Sequence, residues 1–424
     1  MPFKLEHHDL IILLLAISTM LILSRIVAEL GKRFKLPVVM GELLVGIALG
    51  PTILGTIYPE AYDYLFPLAT NPKVGYALDG IFSLSVIMLL FVAGMEVELP
   101  LVLRQGKTAI YTGLGSMIIP FFTGFAVAWW LPGIFGIATD TDSKLLFALF
   151  LGTALSISAL PVIARILMDM NIFKTQLGMI IIASAMFNDL VGWLVFSVIL
   201  SMSGSGPSDT SIGYTIGYVV AFGAFMLFIG RRLISLALPW IQDKLSWPGG
   251  VLAVCLGLCL LCAAFTESIR IHAILGAFIA GIAIGDSVHL REQARQIIHQ
   301  FVTNFFAPLF FVSIGLKVNF IDNFDWMIVG IVLVLAYVGK VAGASIGARL
   351  GGLNRNNSLA VGFGLNARGA MEIILGTLAF NAGIIGKTVY VALVIMALIT
   401  SLTSGPFMRF FIGREDKLTQ SNQT

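Results

Sequence analysis

Thirteen apolar segments, each long enough to cross about 30 Å of hydrocarbon as a helix, follow one another along this chain and leave little sequence for anything else. They begin near Leu10, Pro37, Ile81, Thr108, Leu145, Thr175, Ile212, Gly250, Ile271, Phe301, Trp326, Ser358 and Thr388, with Gly, Pro, Asn and charged residues as punctuation. In lipid a backbone must satisfy its own hydrogen bonds, and a helix does so within one segment. The pattern therefore dictates an all-α polytopic membrane protein of about 13 transmembrane helices. Composition agrees, since only 12% of the 424 residues are charged, against about 25% in soluble domains, and the mean hydropathy is +0.96.

Several classes fall away at once. A dispersed net charge of +3 offers no footprint for nucleic acid. Cys255, Cys259 and Cys262 share one apolar segment at helical spacing, which reads as buried thiols and not as a disulfide framework. The first segment, Leu10 to Ala28, lacks a small-residue cleavage site and reads as a retained helix. His7 and His8 sit in a polar tail and read as solvated. Trp129 and Trp130 end a segment as interface anchors.

Basic residues fix an expected orientation, because Lys and Arg stay on the cytoplasmic side. Eighteen of them fall on one alternate set of connections: Arg25, Lys32, Arg33, Lys35, Arg104, Lys107, Arg165, Lys174, Arg231, Arg232, Lys244, Arg291, Arg295, Arg349, Arg355, Arg409, Arg414 and Lys417. The other set holds six, namely Lys4, Lys73, Lys144, Arg270, Lys317 and Lys387, among acids such as Glu60, Asp63, Asp140, Asp142, Asp209, Asp322 and Asp325. The expected protein lies in the cell membrane with its N-terminus outside and its C-terminus in the cytoplasm. Two basic residues, Lys340 and Arg368, fit neither set and lie inside apolar segments.

An internal repeat is visible in the glycines. G-E-L-L-V-G-I-A-L-G carries Gly41, Gly46 and Gly50, and G-A-F-I-A-G-I-A-I-G carries Gly276, Gly281 and Gly285 at the same spacing. In the following segments, G-M-E-V-E-L from Gly94 answers G-L-K-V-N-F from Gly315. If segments one to six correspond to eight to thirteen, the odd seventh makes the second half enter the membrane from the opposite face. Glu96 and Glu98 agree, lying on the Lys/Arg-rich side while Lys317 lies on the acidic side. Inverted repeats are a transporter architecture with a midplane site built from broken helices.

Both halves carry such a break. In the fifth segment Thr153, Ser156 and Ser158 precede Pro161, whose ring removes a donor and disfavours helix at Leu160. In the twelfth, Gly362, Gly364, Asn366 and Gly369 interrupt an apolar run. Backbone freed at membrane depth lines a cavity or is buried in protein, and carbonyls with hydroxyls suit small hard cations; a plain proline kink repaired by serine hydroxyls is the alternative for the fifth. Asn188 and Asp189 fall near the middle of the sixth segment, where an acid is costly unless functional or paired. Lys340 is central in the eleventh and is the obvious counter-ion for Asp189, although sequence shows no contact. Arg368 and Glu372, four residues apart, share one helix face and form either an internal pair or part of a site. Glu42, near the start of the second helix, reads as a cap or as facing water.

At the fifth and sixth segments the likeness to a known family becomes specific. A-L-S-I-S-A-L-P-V-I-A-R-I-L followed by S-A-M-F-N-D-L-V-G-W resembles the monovalent cation:proton antiporters of the second cation/proton antiporter family, which includes bacterial Na+/H+ or K+/H+ antiporters and plant cation/H+ exchangers. L-P-V-V-M-G-E-L-L-V-G-I-A-L-G-P, H-A-I-L-G-A-F-I-A-G and L-N-A-R-G-A-M-E extend the resemblance from Leu36 to about Phe410.

The resemblance implies a homodimer with two crossed broken helices and an elevator-like alternating-access cycle. It implies scaffold and dimerisation helices in 1–107 and 246–322, core helices in 108–203 and 323–412, a linker helix in 204–245 and a short cytoplasmic tail in 413–424. Asp189 is then the carboxylate that binds a monovalent cation, Na+ or K+, and a proton in turn, with Asn188 beside it and Thr153, Ser156 and Ser158 supplying oxygens. Lys340, Arg368, Glu372 and Asn366 balance charge or hold the core, and Pro161, Gly364 and Gly369 break the helices. Where some relatives have two adjacent acids this chain has Asn188 then Asp189, which points to one-for-one exchange; Lys340 offers a second proton, and both stoichiometries stay open. Oxygen ligands alone do not choose between Na+ and K+.

No cofactor is expected, and no nucleotide-binding regulatory domain, since no dinucleotide fingerprint follows Phe411. An enzyme is not expected: no H-E-x-x-H or G-x-G-D motif is present. Nothing resembles a channel's carbonyl filter. The rival reading is a sodium-coupled symporter of an organic anion, which would want more cationic contacts.

Overall fold

A computed structural model describes residues 5–33, 38–67, 70–97, 106–137, 140–170, 172–173, 175–203, 212–269, 271–287 and 289–421. Pro37 and the charged residues Lys4, Lys35, Glu98, Arg104, Lys174, Asp209 and Arg270 lie outside them. Among the described residues the secondary structure is helical, with no strand. The principal helices are α1 (His7–Arg33), α2 (Val38–Leu49), α3 (Pro72–Met95), α4 (Gly106–Trp130), α5 (Thr141–Ser156), α6 (Leu160–Asp169) and α7 (Gln176–Ser203). They are followed by α8 (Ile212–Ala224), α9 (Arg231–Lys244), α10 (Gly249–Ser268), α11 (Ala273–Gly285), α12 (Glu292–Phe301), α13 (Ala307–Lys317), α14 (Trp326–Leu350), α15 (Arg355–Leu365), α16 (Ala370–Asn381) and α17 (Lys387–Ser421).

Among the described residues eleven helical segments are long and apolar enough to span a membrane, or twelve if the bent pair α15 and α16 counts as one. The sequence expectation of thirteen exceeds this by one short element. The segment from Ile271 yields only the 13 residues of α11, about 20 Å at 1.5 Å per residue, less than the hydrocarbon thickness. The chain forms two compact units, Met1–Val97 with Val220–Asn323, and Glu98–Val219 with Phe324–Thr424.

In the first unit the repeat glycines are where helices touch. A methyl group on Gly46 of α2 would stand 2.3 Å from the Val312 carbonyl oxygen of α13, and one on Gly281 of α11 would stand 2.1 Å from the Phe91 carbonyl oxygen of α3. Val312 precedes Gly315 by three residues, as Phe91 precedes Gly94. The second helix of each half therefore packs on the third helix of the other half, at equivalent positions, through backbone contacts that only glycine permits. Glu42 does not face water and does not cap α2: it lies in the second turn and is only 3% exposed. Cys255, Cys259 and Cys262 are free, buried thiols of α10.

The second unit is built around α4 and α14, which also approach through glycine. A methyl group on Gly347 would meet the Tyr111 carbonyl oxygen at 2.2 Å, and one on Gly115 the Gly343 carbonyl oxygen at 2.5 Å. The breaks differ in detail from expectation. Helix α5 stops at Ser156, the chain runs extended through Ile157 and Ala159, and Pro161 sits in the first turn of α6. Proline costs nothing there because its missing N–H would have no intrahelical partner. Pro161 therefore restarts the helix and does not interrupt it. Gly364 is helical, near the end of α15, where a side chain would press on Met408 Sδ at 3.0 Å. The second break begins after Leu365 and ends at Gly369, with α15 and α16 bent by 46°.

Candidate functional site

The two breaks meet within the second unit. Ala159 N–H donates to the Ala367 carbonyl at 3.0 Å, and the Ser158 hydroxyl donates to the Leu365 carbonyl at 2.9 Å. A methyl group on Gly369 would lie 2.9 Å from Val162 Cγ2, so glycine is what lets the second break approach the first. Each extended segment thus supplies hydrogen bonds that the other has lost.

A helix ending at mid-depth leaves its last four carbonyls without intrahelical donors, at the negative end of its dipole. In α5 those belong to Thr153, Ala154, Leu155 and Ser156, and all four are occupied. The Thr153 carbonyl accepts from Ile157 N at 3.3 Å. The Ala154 carbonyl accepts from Arg368 Nη1 at 2.8 Å and the Leu155 carbonyl from Arg368 Nη2 at 2.6 Å. The Ser156 carbonyl accepts from Lys340 Nζ, which also donates to the Ser116 carbonyl at 3.0 Å. Two buried basic side chains from the other half of the sequence therefore cap this broken helix. The expectation that these carbonyls stand free as cation ligands is corrected: Arg368 and Lys340 already use those of Ala154, Leu155 and Ser156.

Arg368 is further held by Glu372, with Nη1 at 2.9 and 2.8 Å from the two carboxylate oxygens. Of the two readings of this pair the internal one holds, and it extends across the break through the α5 carbonyls. Ser401 donates from its hydroxyl to the Arg368 carbonyl. Asn366 is fully buried in the same break.

Asn188 and Asp189 lie on α7, both buried, Asp189 at 4% exposure. Of the two orientations of the Asn188 amide, the one that faces donors to acceptors puts its oxygen 3.2 Å from Lys340 Nζ and its nitrogen 3.1 Å from the Gly113 carbonyl. Lys340 is thereby fixed by Asn188, Ser116 and Ser156, and it stands within electrostatic reach of Asp189, Glu372 and Arg368. Thr153 Oγ1 donates to the Leu149 carbonyl at 2.8 Å, and Ser156 Oγ donates to the Met117 and Gly152 carbonyls at 2.9 and 2.7 Å. Their protons are committed to the backbone, while the oxygen lone pairs stay available as ligands.

Sequence reasoning missed Ser116. Its hydroxyl lies 2.8 Å from the Asn188 amide and its carbonyl accepts from Lys340. The signal was Pro120, four residues on in the same helix, whose missing N–H leaves the Ser116 carbonyl without its intrahelical donor. Among the described residues no cluster of three or more His, Cys, Asp or Glu is placed to hold a metal ion.

Comparison with known proteins decides the family. The family model described as "Sodium/hydrogen exchanger, transmembrane" matches residues 5–412. The chain belongs to the sodium/hydrogen exchanger family. Within that family it is similar to the Na(+)/H(+) antiporter NhaS4 of Synechocystis sp., 29% identical over 409 residues that cover 95% of this chain and 98% of the relative. It is also similar to the Na(+)/H(+)-K(+) antiporter GerN of Bacillus cereus, at 27% identity with 96% and 98% covered. Cation/H(+) antiporter 17 of Arabidopsis thaliana is 30% identical over 410 residues, 95% of this chain but 48% of the plant protein, so the chain spans about half of that relative. The sodium proton antiporter MjNhaP1 of Methanocaldococcus jannaschii shares the exchanger fold, with a TM-score of 0.61 at 17% identity over 96% of this chain and 98% of that one. These exchanger-family relatives are ion transporters and not enzymes.

Proposed function

We propose that this protein exchanges a monovalent cation, Na+ or K+, for protons across a membrane, with Asp189 binding the two in turn. The observation that carries this reading is one buried acid, Asp189, on a continuous helix in the unit where two broken helices cross. An ionised carboxylate is costly in a low-dielectric layer, and either a proton or a cation neutralises it. Both ligands use the same oxygens, so each displaces the other. Asn188 and Lys340 frame the site, and Thr153, Ser156 and Ser158 offer further oxygens.

The core of 108–203 and 323–412 carries the ion while scaffold helices in 1–107 and 246–322 hold the protein in the membrane, with 204–245 as the link; the two compact units, divided near 97, 219 and 323, support the separation of core from scaffold. Alternating access then follows from elevator-like movement of the loaded core, and the empty charged site crosses poorly. The protein acts as a homodimer in the cell membrane, with the N-terminus outside and the C-terminus in the cytoplasm, the orientation favoured by the Lys/Arg distribution. The names of NhaS4, GerN and the plant cation/H(+) antiporter support the substrate class.

The organic-anion symporter has no support. The relatives named above are cation/proton antiporters, and the buried basic side chains that an anion would need are engaged with backbone carbonyls and Glu372. The test is pH-dye dequenching in proteoliposomes on addition of Na+, K+ or Li+, with and without an imposed membrane potential. Saturable, cation-dependent proton movement is expected, and for one-for-one exchange an imposed potential leaves it unchanged. Absence of proton movement with every cation would overturn the reading.

A further inference from the structure

The second unit carries a cleft whose lining residues are not those of the broken-helix crossing. It has a volume of about 300 Å³ and lies where α14 ends and α15 begins. Arg349 and Arg355 line it together with Ser345 and Ser358, and Ile346, Leu350 and Leu359 supply its apolar wall. Among the described residues neither guanidinium is paired with a carboxylate, and no acid lines the cleft. The N-terminal end of α15 adds the positive end of a helix dipole. Gly362 is what brings α15 this close to α14, since a methyl group there would stand 2.3 Å from Ser345 Oγ.

The cleft continues into an apolar track. Val334, Val338, Ile346 and Leu350 recur at multiples of four along α14, with exposures of 61%, 62%, 50% and 71%, a stripe that winds roughly 160° around the helix between its two ends at 3.6 residues per turn. From Val334 to Leu350 the track runs about 24 Å at 1.5 Å per residue, enough for an acyl chain. The candidate span ends at Leu350, so the two arginines sit at its Lys/Arg-rich end, at headgroup depth.

We infer that Arg349 and Arg355 form a binding site for an anionic phospholipid, whose headgroup phosphate is held between the guanidinium groups and whose acyl chain follows the α14 track. Phosphate is the chemistry that two guanidinium groups without a carboxylate partner recognise. A free phosphate would meet the same arginines but would make no use of the apolar wall or the track, which favours a lipid.

Native mass spectrometry of the purified full chain tests this, with dioleoylphosphatidylglycerol, dioleoylphosphatidylcholine and inorganic phosphate as probes. The wild type is expected to retain phosphatidylglycerol in preference to phosphatidylcholine. Arg349→Gln with Arg355→Gln should weaken that retention roughly 30-fold, the equivalent of about 2 kcal/mol at 1.4 kcal/mol per decade for two basic side chains at a membrane surface. Leu359→Trp, which fills the cleft and keeps both charges, should weaken it too, while Arg232→Gln in the other unit should leave it unchanged. Equal retention of both lipids by the wild type, or unchanged retention in the double variant or in Leu359→Trp, overturns the site. Displacement of the lipid by inorganic phosphate would assign the cleft to a soluble anion and overturn the lipid as its occupant.

Discussion

Arg368 Nη2 donates a 2.6 Å hydrogen bond to the Leu155 carbonyl, so a side chain from one broken helix closes the open end of the other. Its Nη1 bonds to the Ala154 carbonyl and to both oxygens of Glu372. This geometry makes Arg368 a structural staple of the crossing. Arg368→Met strands a buried carboxylate and two buried carbonyls, which should cost about 3–5 kcal/mol. The double variant Arg368→Met with Glu372→Met removes the stranded charge and should recover part of that loss. Thermal unfolding in detergent compares the two, and a double variant no more stable than the single one would count against the pairing.

Lys340 closes the remaining α5 carbonyl. Lys340→Met leaves the Ser156 and Ser116 carbonyls without this donor and takes one of two donors from the Asn188 amide oxygen, at about 1–3 kcal/mol for each buried group left unmade. The loss should concentrate at the extended segment. Hydrogen exchange at Ile157 to Leu160 is expected to accelerate in this variant while α10, in the other unit, is unchanged. Equal protection in variant and wild type would remove Lys340 from this role.

Glycine substitutions test the pseudo-symmetric packing of the first unit. Gly46→Leu and Gly281→Leu each drive a side chain into a facing backbone carbonyl at equivalent places of the two halves. Both should destabilise by at least about 1–3 kcal/mol and lower the yield of monodisperse protein. Gly257→Ala, where a methyl group meets nothing within 4 Å, should be near neutral. Fluorescence-detected gel filtration after heating ranks the three, and a Gly257→Ala as damaging as the others would contradict the packing argument.

Much of this was legible in the sequence, and the reasons are physical. Apolar length announces spans because lipid leaves a backbone few options. Charges buried in such segments are rare enough to be noticed one by one, which is how Asp189, Lys340, Arg368 and Glu372 stood out. The glycine spacing marked contact surfaces, although not that Gly46 would face Val312 and Gly281 face Phe91. What sequence misjudged was local. Pro161 looked like a breaker, yet proline is equally at home in a first helical turn, and only the ψ angles of Ile157 and Ala159 show where the break lies. Gly364 looked like a second breaker and is a packing glycine. Ser116 was overlooked although Pro120, four residues on, frees its carbonyl; that Lys340 is the donor that takes it up is a property of tertiary structure.

One competing proton gives a defined pH dependence. If a single carboxylate takes either one proton or one cation, the logarithm of the apparent KM for cation should fall with rising pH with a limiting slope of about −1 on the acid side. Initial rates at several pH values and cation concentrations provide the slope. A limiting slope near −2 would mean that two protons compete and would bring Lys340 or Glu372 into the cycle.

The most direct measurement is cation-driven proton flux in proteoliposomes holding Asp189→Asn, with the variant's fold checked by its melting temperature. Asparagine keeps the size and polarity of the side chain and removes the one charge on which competition depends. Flux with Na+ and with K+ should fall to the level of protein-free liposomes while the variant melts within a few degrees of the wild type. Exchange at the wild-type rate in that variant would contradict the assignment of Asp189 as the shared site of cation and proton.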